Sequence, residues 1–294
     1  MPRTIEQIVS LYRQRIKRST KSVKAGDKGA KSNTSLLAVL YNNGCVVCSD
    51  LQATYGHGMR ASVREKKIYQ MGDNPVVIAG TGTSADITFV ANAADMMIQD
   101  WKSEWDLKDA SPEVAGEIIN EILNVNHGLL EAYFLLGGFD HAKNKPFIAN
   151  IDGELFRSDI FQTDGSGSIY IMSKAQELSD KVLGTLTGKG INPVTVDDIY
   201  EVLDKLNFPR EVAMVESLAA INGGPTCDIY SGGLGYQMFV IDDEGLAEYI
   251  IPSDMTKKIL EEKQKAEFAA ISPRLRKGYD QEKVMRLFEK TRRR

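Results

Sequence analysis

Three residues in the first quarter of the chain are of the types that together could cut an amide bond. Thr34 stands just before the apolar run Leu36-Leu37-Ala38-Val39-Leu40-Tyr41, Asp50 follows Cys45-Val46-Val47-Cys48-Ser49, and Lys67 sits in Lys66-Lys67-Ile68-Tyr69. A threonine hydroxyl is a poor nucleophile near neutral pH, whereas an α-amine, with a pKa of about 7.7 to 8.0, is a base available there. If Thr34 became an N-terminus, one residue would therefore hold both nucleophile and base. A nearby lysine ammonium lowers the pKa of that amine and steadies the hydroxyl as it loses its proton; a carboxylate keeps the lysine charged and aimed. Taken singly, Thr34 is a hydroxyl at a strand start and Asp50 with Lys67 an ordinary ion pair. Their joint placement carries the chemical reading.

Composition narrows the classes. With 294 residues and 43% hydrophobic content, the chain can bury a full core, read here as one core with tails. A net charge of -4 and a pI near 5.6 argue against a nucleic-acid binder. No apolar run approaches the roughly 20 residues that span a bilayer, so no membrane segment is expected. Three cysteines are an odd number for a disulfide framework and fit a reducing, cytoplasmic setting. Cys45-Val46-Val47-Cys48 lies on a strand pattern that turns the two thiols to opposite faces, which suits core packing rather than redox or metal chemistry. His57, His127 and His141 are scattered, so neither a metal nor a cofactor is expected.

Periodicity predicts the scaffold around these residues. The first 33 residues are basic; Ile5, Ile8, Val9, Tyr12 and Ile16 predict a short amphipathic helix over 5–18, followed by a small, polar stretch. Three readings compete for this arm: a removable propeptide, a retained docking arm, or an organellar presequence. From Thr34 onward strands are expected. Leu36–Tyr41 and Cys45–Cys48 form a hairpin across Asn42-Asn43-Gly44, and Lys67–Met71 with Val76–Gly80 form another. Helices are predicted over Ser84–Trp105 and after the Ser111-Pro112 cap. Strands return at Ala132–Gly137, Pro146–Ile151 and Glu154–Ile160. Helices come after Gly165-Ser166-Gly167-Ser168, begin again at Thr195, and run over Glu211–Ala220. A last hairpin, Tyr236–Ile241 with Ala247–Ile251, precedes charged helices over Met255–Ile271 and Asp280–Arg294. Strand runs alternating with helix pairs argue for an α+β fold with helices outside two stacked sheets.

Several segments then resemble one family. Thr34-Ser35-x-x-Ala38, Gly44-x-Val46-Val47-x-x-Asp50, Gln52-Ala53-Thr54-x-Gly56, Lys66-Lys67-Ile68-Tyr69, Ile78-Ala79-Gly80-Thr81 and Gly165-Ser166-Gly167 look like a β-type subunit of the 20S proteasome. The Gln52–Gly56 wording is closer to the bacterial HslV-type peptidase. The resemblance covers roughly Thr34 to Pro252 and implies the four-layer αββα sandwich of N-terminal-nucleophile hydrolases. It implies a catalytic set of Thr34, Asp50, Lys67, Gly80 and Ser166, with the Gly80 N–H as oxyanion donor and Ser166 ordering the amine and a water. Lys67 requires a one-residue insertion after Asp50, with Lys66 as the fallback. Ala53, Thr54, Gly80 and Gly82 are the implied substrate-binding positions, and Ala53, Glu65, Tyr69, Ile78 and Gly82 the implied specificity pocket, with small-to-apolar preference.

The resemblance also implies organisation and partners. Residues 1–33 would be a propeptide or arm, 34–252 the catalytic domain and 253–294 a charged helical extension, a surface or inter-subunit appendage. The chain would join α-type and other β-type subunits in stacked rings, served by an ATP-dependent unfoldase or other regulator ring, and would cut unfolded polypeptides. A catalytically silent ring subunit and an HslV-like peptidase are the alternatives. Two departures stand out. Asn33 replaces the usual glycine before the threonine. The family also has an acid three residues before a Ser or Thr that precedes glycine; near Ile221–Pro225 this places Asn222 at the hydroxyl position and Ala219 at the acid position, with Asp228 a nearby substitute.

Overall fold

The structure, a computed structural model, describes residues 4–16, 31–32, 34–54, 60–157, 160–192, 199–206, 208–228, 231–271 and 281–293. A two-residue strand, β1 (Lys31–Ser32), comes just before Thr34. The apolar run behind Thr34 forms β2 (Leu36–Tyr41), and a turn at Asn42-Asn43 sends it back as β3 (Gly44–Asp50). Every position of both strands is buried, which explains why they read as continuous rather than alternating apolar runs: the sheet is covered on both faces. Short strands β4 (Ala53–Thr54), β5 (Arg60–Ser62) and β6 (Ile68–Gln70) lead into β7 (Val76–Thr83). Beyond it lie β8 (Ala132–Asp140), β9 (Lys145–Ile151), β10 (Leu155–Arg157), β11 (Phe161–Asp164), β12 (Gly235–Asp242) and β13 (Gly245–Pro252).

Among the described residues these strands make two sheets. The smaller runs β11-β2-β3-β12-β13; the larger runs β10-β9-β8-β7-β1-β4-β5, with β6 also paired to β7. Alternation along β7 divides its side chains. Val77 and Ala79 join Leu135 and Ile148 in the cluster that includes the smaller sheet, while Val76 and Ile78 join Leu136 and Ala149 in the cluster under the helices. Those helices are α2 (Ser84–Trp105) and α3 (Pro112–Val125), the latter capped by Ser111, whose hydroxyl accepts the Val114 N–H at 3.3 Å. On the far side, α4 (Ser168–Gly188) and α5 (Arg210–Ile221) cover the smaller sheet, and the single turn α6 (Gly223–Cys227) packs on both helices. The result is a helix–sheet–sheet–helix sandwich, the αββα architecture expected.

The two ends pack onto this body. The amphipathic helix forms as α1 (Ile5–Ile16), where Thr4 and Gln7 exchange hydrogen bonds in a capping box, and it lies on α2 and α3 with Ile8 buried. At the other end, α7 (Ser253–Ile271) and α8 (Gln281–Glu289) fold back rather than project: Ile259, Val284 and Phe288 are fully buried in the same cluster as β2, β3 and β12. Residues 291–293 then run along the free edge of β13, with Ile250 N–H donating to the Thr291 carbonyl at 3.0 Å and Arg293 N–H to that of Glu248 at 2.8 Å.

Other expectations change at element ends. Of the expected strand Glu154–Ile160, Leu155–Arg157 forms β10 beside β9, and a further strand that was not expected, β11, begins beyond it at Phe161 and pairs with β2 in the other sheet. The helix expected from Thr195 starts outside the described residues. From Ile199 onward the chain makes two single 3₁₀ turns, Ile199–Glu201 and Leu203–Lys205.

Candidate active site

Antiparallel pairing of β2 with β3 brings the head of one strand to the tail of the other. The Asp50 N–H donates to the Ser35 carbonyl at 3.3 Å, and Thr34 and Asp50 thereby become neighbours although distant in the chain. Lys67, just before β6, enters from the larger sheet. The Thr34 hydroxyl donates to Asp50 Oδ1 at 2.5 Å, Lys67 Nζ donates to Thr34 Oγ1, and Lys67 Nζ lies 2.8 Å from Asp50 Oδ1. All three side chains are buried, Lys67 with 1% exposure. The remaining capacity of Asp50 is filled by backbone: Oδ1 accepts from Ser35 N–H at 2.8 Å, and Oδ2 from Gln52 and Gly232 N–H at 3.1 and 2.7 Å. Burial pulls the Lys67 amine below the ordinary lysine value, and the Asp50 carboxylate opposes that pull.

A second polar group abuts the first. Gly165-Ser166-Gly167 wraps the Thr34 carbonyl, which accepts the Gly167 N–H at 3.1 Å. Ser166 Oγ donates to Asp228 Oδ2 at 2.7 Å, as does Ser231 Oγ at 2.7 Å, and Ser35 Oγ donates to Ser231 Oγ at 3.1 Å. This corrects the expectation at Asn222. Asn222 lies at the end of α5, where its side-chain oxygen accepts the Tyr236 hydroxyl at 2.9 Å. The acid that meets hydroxyl groups beside Thr34 is Asp228, which accepts from Ser166 and Ser231. The signal was present in the sequence: Asp228 stands three residues before a serine, and that serine precedes Gly232.

Gly80, the expected oxyanion donor, lies on β7 beside this group. The Gly80 N–H is occupied within the sheet, donating to the Lys67 carbonyl at 2.9 Å. Two residues along the same strand, Gly82 has φ +115 and lies opposite Ser32 of β1. Strand alternation turns the Gly82 N–H to the same edge as that of Gly80, toward β1. β1 is itself informative: Lys31 pairs with Thr83 of β7 on one side and Thr54 of β4 on the other. Lys31-Ser32 thus lies as an extended strand in the slot between β4 and the end of β7. Of the specificity positions, Tyr69 and Ile78 are register partners in β6 and β7, and both contact the cluster beneath α2. Tyr55 to Met59, including His57, lie outside the described residues. Among the described residues, no His, Cys, Asp and Glu side chains gather in a metal-holding group, and no helix is long and apolar enough to cross a membrane.

An αββα sandwich with a threonine, a lysine and an aspartate buried together at the head of an inner strand is the N-terminal-nucleophile hydrolase fold. The family model for proteasome subunits matches residues 30–190, more than half of the chain, which therefore belongs to the proteasome subunit family. Its relatives are of the β type. The chain is 26% identical over 238 residues to "Proteasome subunit beta type-6-B like protein" of Salmo salar, covering 80% of this chain and 95% of that one. It is 23% identical over 225 residues to "Proteasome subunit beta 2" of Thermococcus onnurineus (75% and 96% covered) and 22% identical over 225 residues to "Proteasome subunit beta 1" of Pyrococcus horikoshii (75% and 98% covered).

Proposed function

We propose that this chain is a peptidase subunit of a 20S proteasome-like particle, with Thr34 as nucleophile once residues 1–33 have been cut away. The observation that carries the reading is the contact of the Thr34 hydroxyl with both Lys67 Nζ and Asp50 Oδ1, beside a slot already holding an extended strand. After the cut, the Thr34 α-amine takes the hydroxyl proton as Oγ1 attacks a substrate carbonyl. The oxyanion that forms is placed for the Gly82 N–H, and the ammonium returns its proton to the leaving amine. Water then hydrolyses the ester with the same amine as base. Lys67 keeps the amine's pKa low, Asp50 keeps Lys67 aimed, and Ser166 and Ser231 are held by Asp228 beside the new N-terminus. A substrate polypeptide would replace β1 as the strand between β4 and β7. Unfolded chains suit this slot, because only an unpaired strand can add to both edges.

Assembly into rings with α-type and other β-type subunits follows from the family, and a regulator ring that feeds unfolded chains completes the proposal. Intact mass and N-terminal sequencing of the purified particle test it. A chain beginning at Thr34, together with loss of peptide cleavage in Thr34→Ala, is the expected result. Retention of residues 1–33 after assembly would leave Thr34 without an amine and make this a silent ring subunit.

A further inference from the structure

Gln237 lies on β12 in the smaller sheet, yet every hydrogen bond of its amide goes toward the segment carrying Lys67 or the group behind it. The side chain is fully buried. Its Oε1 accepts the N–H of Lys67 at 3.2 Å and of Ile68 at 3.1 Å; its Nε2 donates to the Ile68 carbonyl at 3.2 Å and to Glu248 Oε1 at 2.9 Å. Two lone pairs and two N–H groups are all a glutamine amide has, so this one is saturated. Which end faces which is set from both sides: the Glu248 carboxylate only accepts and so holds Nε2, and the two backbone N–H groups only donate and so hold Oε1. Glu248 is in turn held by Lys66 Nζ at 2.7 Å and approached by Arg293 Nε at 4.0 Å.

The consequence concerns the lysine. Its carbonyl is fixed from the larger sheet by the Gly80 N–H, and its N–H is fixed from the smaller sheet by Gln237. A lysine side chain hangs from that peptide by a flexible four-carbon stem, so the position of Nζ against Thr34 depends on where the stem is rooted. We propose that Gln237 is a positioning residue for Lys67, that Glu248 orients it, and that together they set the lysine against the Thr34 nucleophile. The inference rests on the peptidase reading above.

The test uses the full-length chain carrying Gln237→Met, which keeps length and apolar bulk but loses the amide. In the processed particle, kcat is expected to fall at least tenfold with KM within twofold. The acid limb of the pH–rate profile should move to higher pH, because a cation further from the Thr34 amine lowers its pKa less. Glu248→Gln should shift the limb the same way by less, since the two backbone donors still hold Oε1 while the charged hold on Nε2 is lost. A structure of Gln237→Met gives a readout that needs no turnover: the contact of 2.8 Å between Lys67 Nζ and Asp50 Oδ1 should be lost. An unmoved Lys67, or an unmoved limb with kcat and KM falling only in step with stability, overturns the proposal. Should Gln237→Met fail to fold, Glu248→Gln decides alone, and an unshifted limb together with an unmoved Lys67 rejects it. A parent particle without Thr34-dependent turnover sinks the peptidase reading instead, while the structural comparison still judges the positioning.

Discussion

Asp50 offers two oxygens to five donors, and the most demanding of these is the buried Lys67 ammonium. Replacing the carboxylate takes from that buried charge the anion in direct contact with it, so Asp50→Asn should cost about 3–5 kcal/mol of folding stability, measured by chemical denaturation, as well as Thr34-dependent cleavage. The pH dependence has a defined sign. Burial holds the folded-state pKa of Lys67 below its unfolded value, so between the two the unfolded chain binds the extra proton and stability rises with pH. Without Asp50 this window reaches lower, and the deficit of the variant should be large near pH 7 and shrink as pH climbs toward the ordinary lysine value of about 10.4. A deficit independent of pH would mean that Asp50 does not hold the lysine's charge. The cysteines give a second check. Burial pushes the Cys45 thiol up to about 12 and that of Cys48 also upward, so iodoacetamide at pH 8 should leave both unlabelled in the native protein and label both after unfolding, as read by peptide mass mapping. Thr34, Asp50, Lys67 and the packing role of the two cysteines were readable from residue type and spacing. Asp228 was not assigned its place because an Asn-Gly-Gly a few residues earlier offered a competing alignment. Only the hydrogen bonds from Ser166 and Ser231 separate the two.

At the scale of elements, the continuous apolar runs of β2 and β3 and the long periodic segments α2 and α3 announced themselves, whereas β1, β4 and β5 did not. Strands of two or three residues are too short to show a period of two, and their pairing is decided by neighbours far away in sequence. Those short strands nevertheless shape the slot beside Thr34, and the end of β7 sets its geometry. A Cβ on Gly82 would lie 2.2 Å from the Glu131 carbonyl oxygen, at a φ that side chains rarely adopt, so Gly82→Ala must displace backbone. On Gly80 the nearest atom is a methyl of Ile87, at 2.4 Å. Gly82→Ala should therefore lower kcat for peptide hydrolysis by roughly 10²–10³, the usual cost of losing an oxyanion donor. Gly80→Ala should show mainly as a loss of stability through crowding against α2. Equal kcat losses at equal stability would return the oxyanion role to Gly80. The N-terminal helix belongs to the same scale. α1 seats Ile8 among α2 and α3, and the Tyr12 hydroxyl donates to Asp100 of α2, so both described pieces of the arm, α1 and β1, pack on the body. Ile8→Asp should unseat the helix and slow the cut before Thr34, monitored by intact mass over time.

For the whole molecule, the decisive surface is the edge of the smaller sheet. β13 is the last strand of that sheet, and an uncovered edge of this length offers a row of unpaired backbone groups to any other chain. Here the chain covers it with its own end. Residues 291–293 bond to Glu248 and Ile250, Phe288 stacks edge-on to Tyr249 at 6.1 Å between ring centroids, and Val284 is fully buried beside them. Charge-rich composition suggested a surface appendage, because charge runs usually mark solvated faces; the few apolar residues spaced along α8 were the ones that decided its place. Phe288→Ala should therefore destabilise the fold by about 3–5 kcal/mol, the cost of emptying a buried aromatic site, seen as a lower denaturation midpoint. Deletion of 281–294 should cost more and also free the β13 edge, giving concentration-dependent association by light scattering that Phe288→Ala does not show. The same deletion removes Arg293 from Glu248, the residue that orients Gln237, so any properly assembled particle carrying it should turn over more slowly than the parent at unchanged KM. A truncated chain that keeps its midpoint, stays dispersed and retains full kcat would make the C-terminal helices dispensable to both edge and site, and would leave contact with a neighbouring subunit as the remaining role for them.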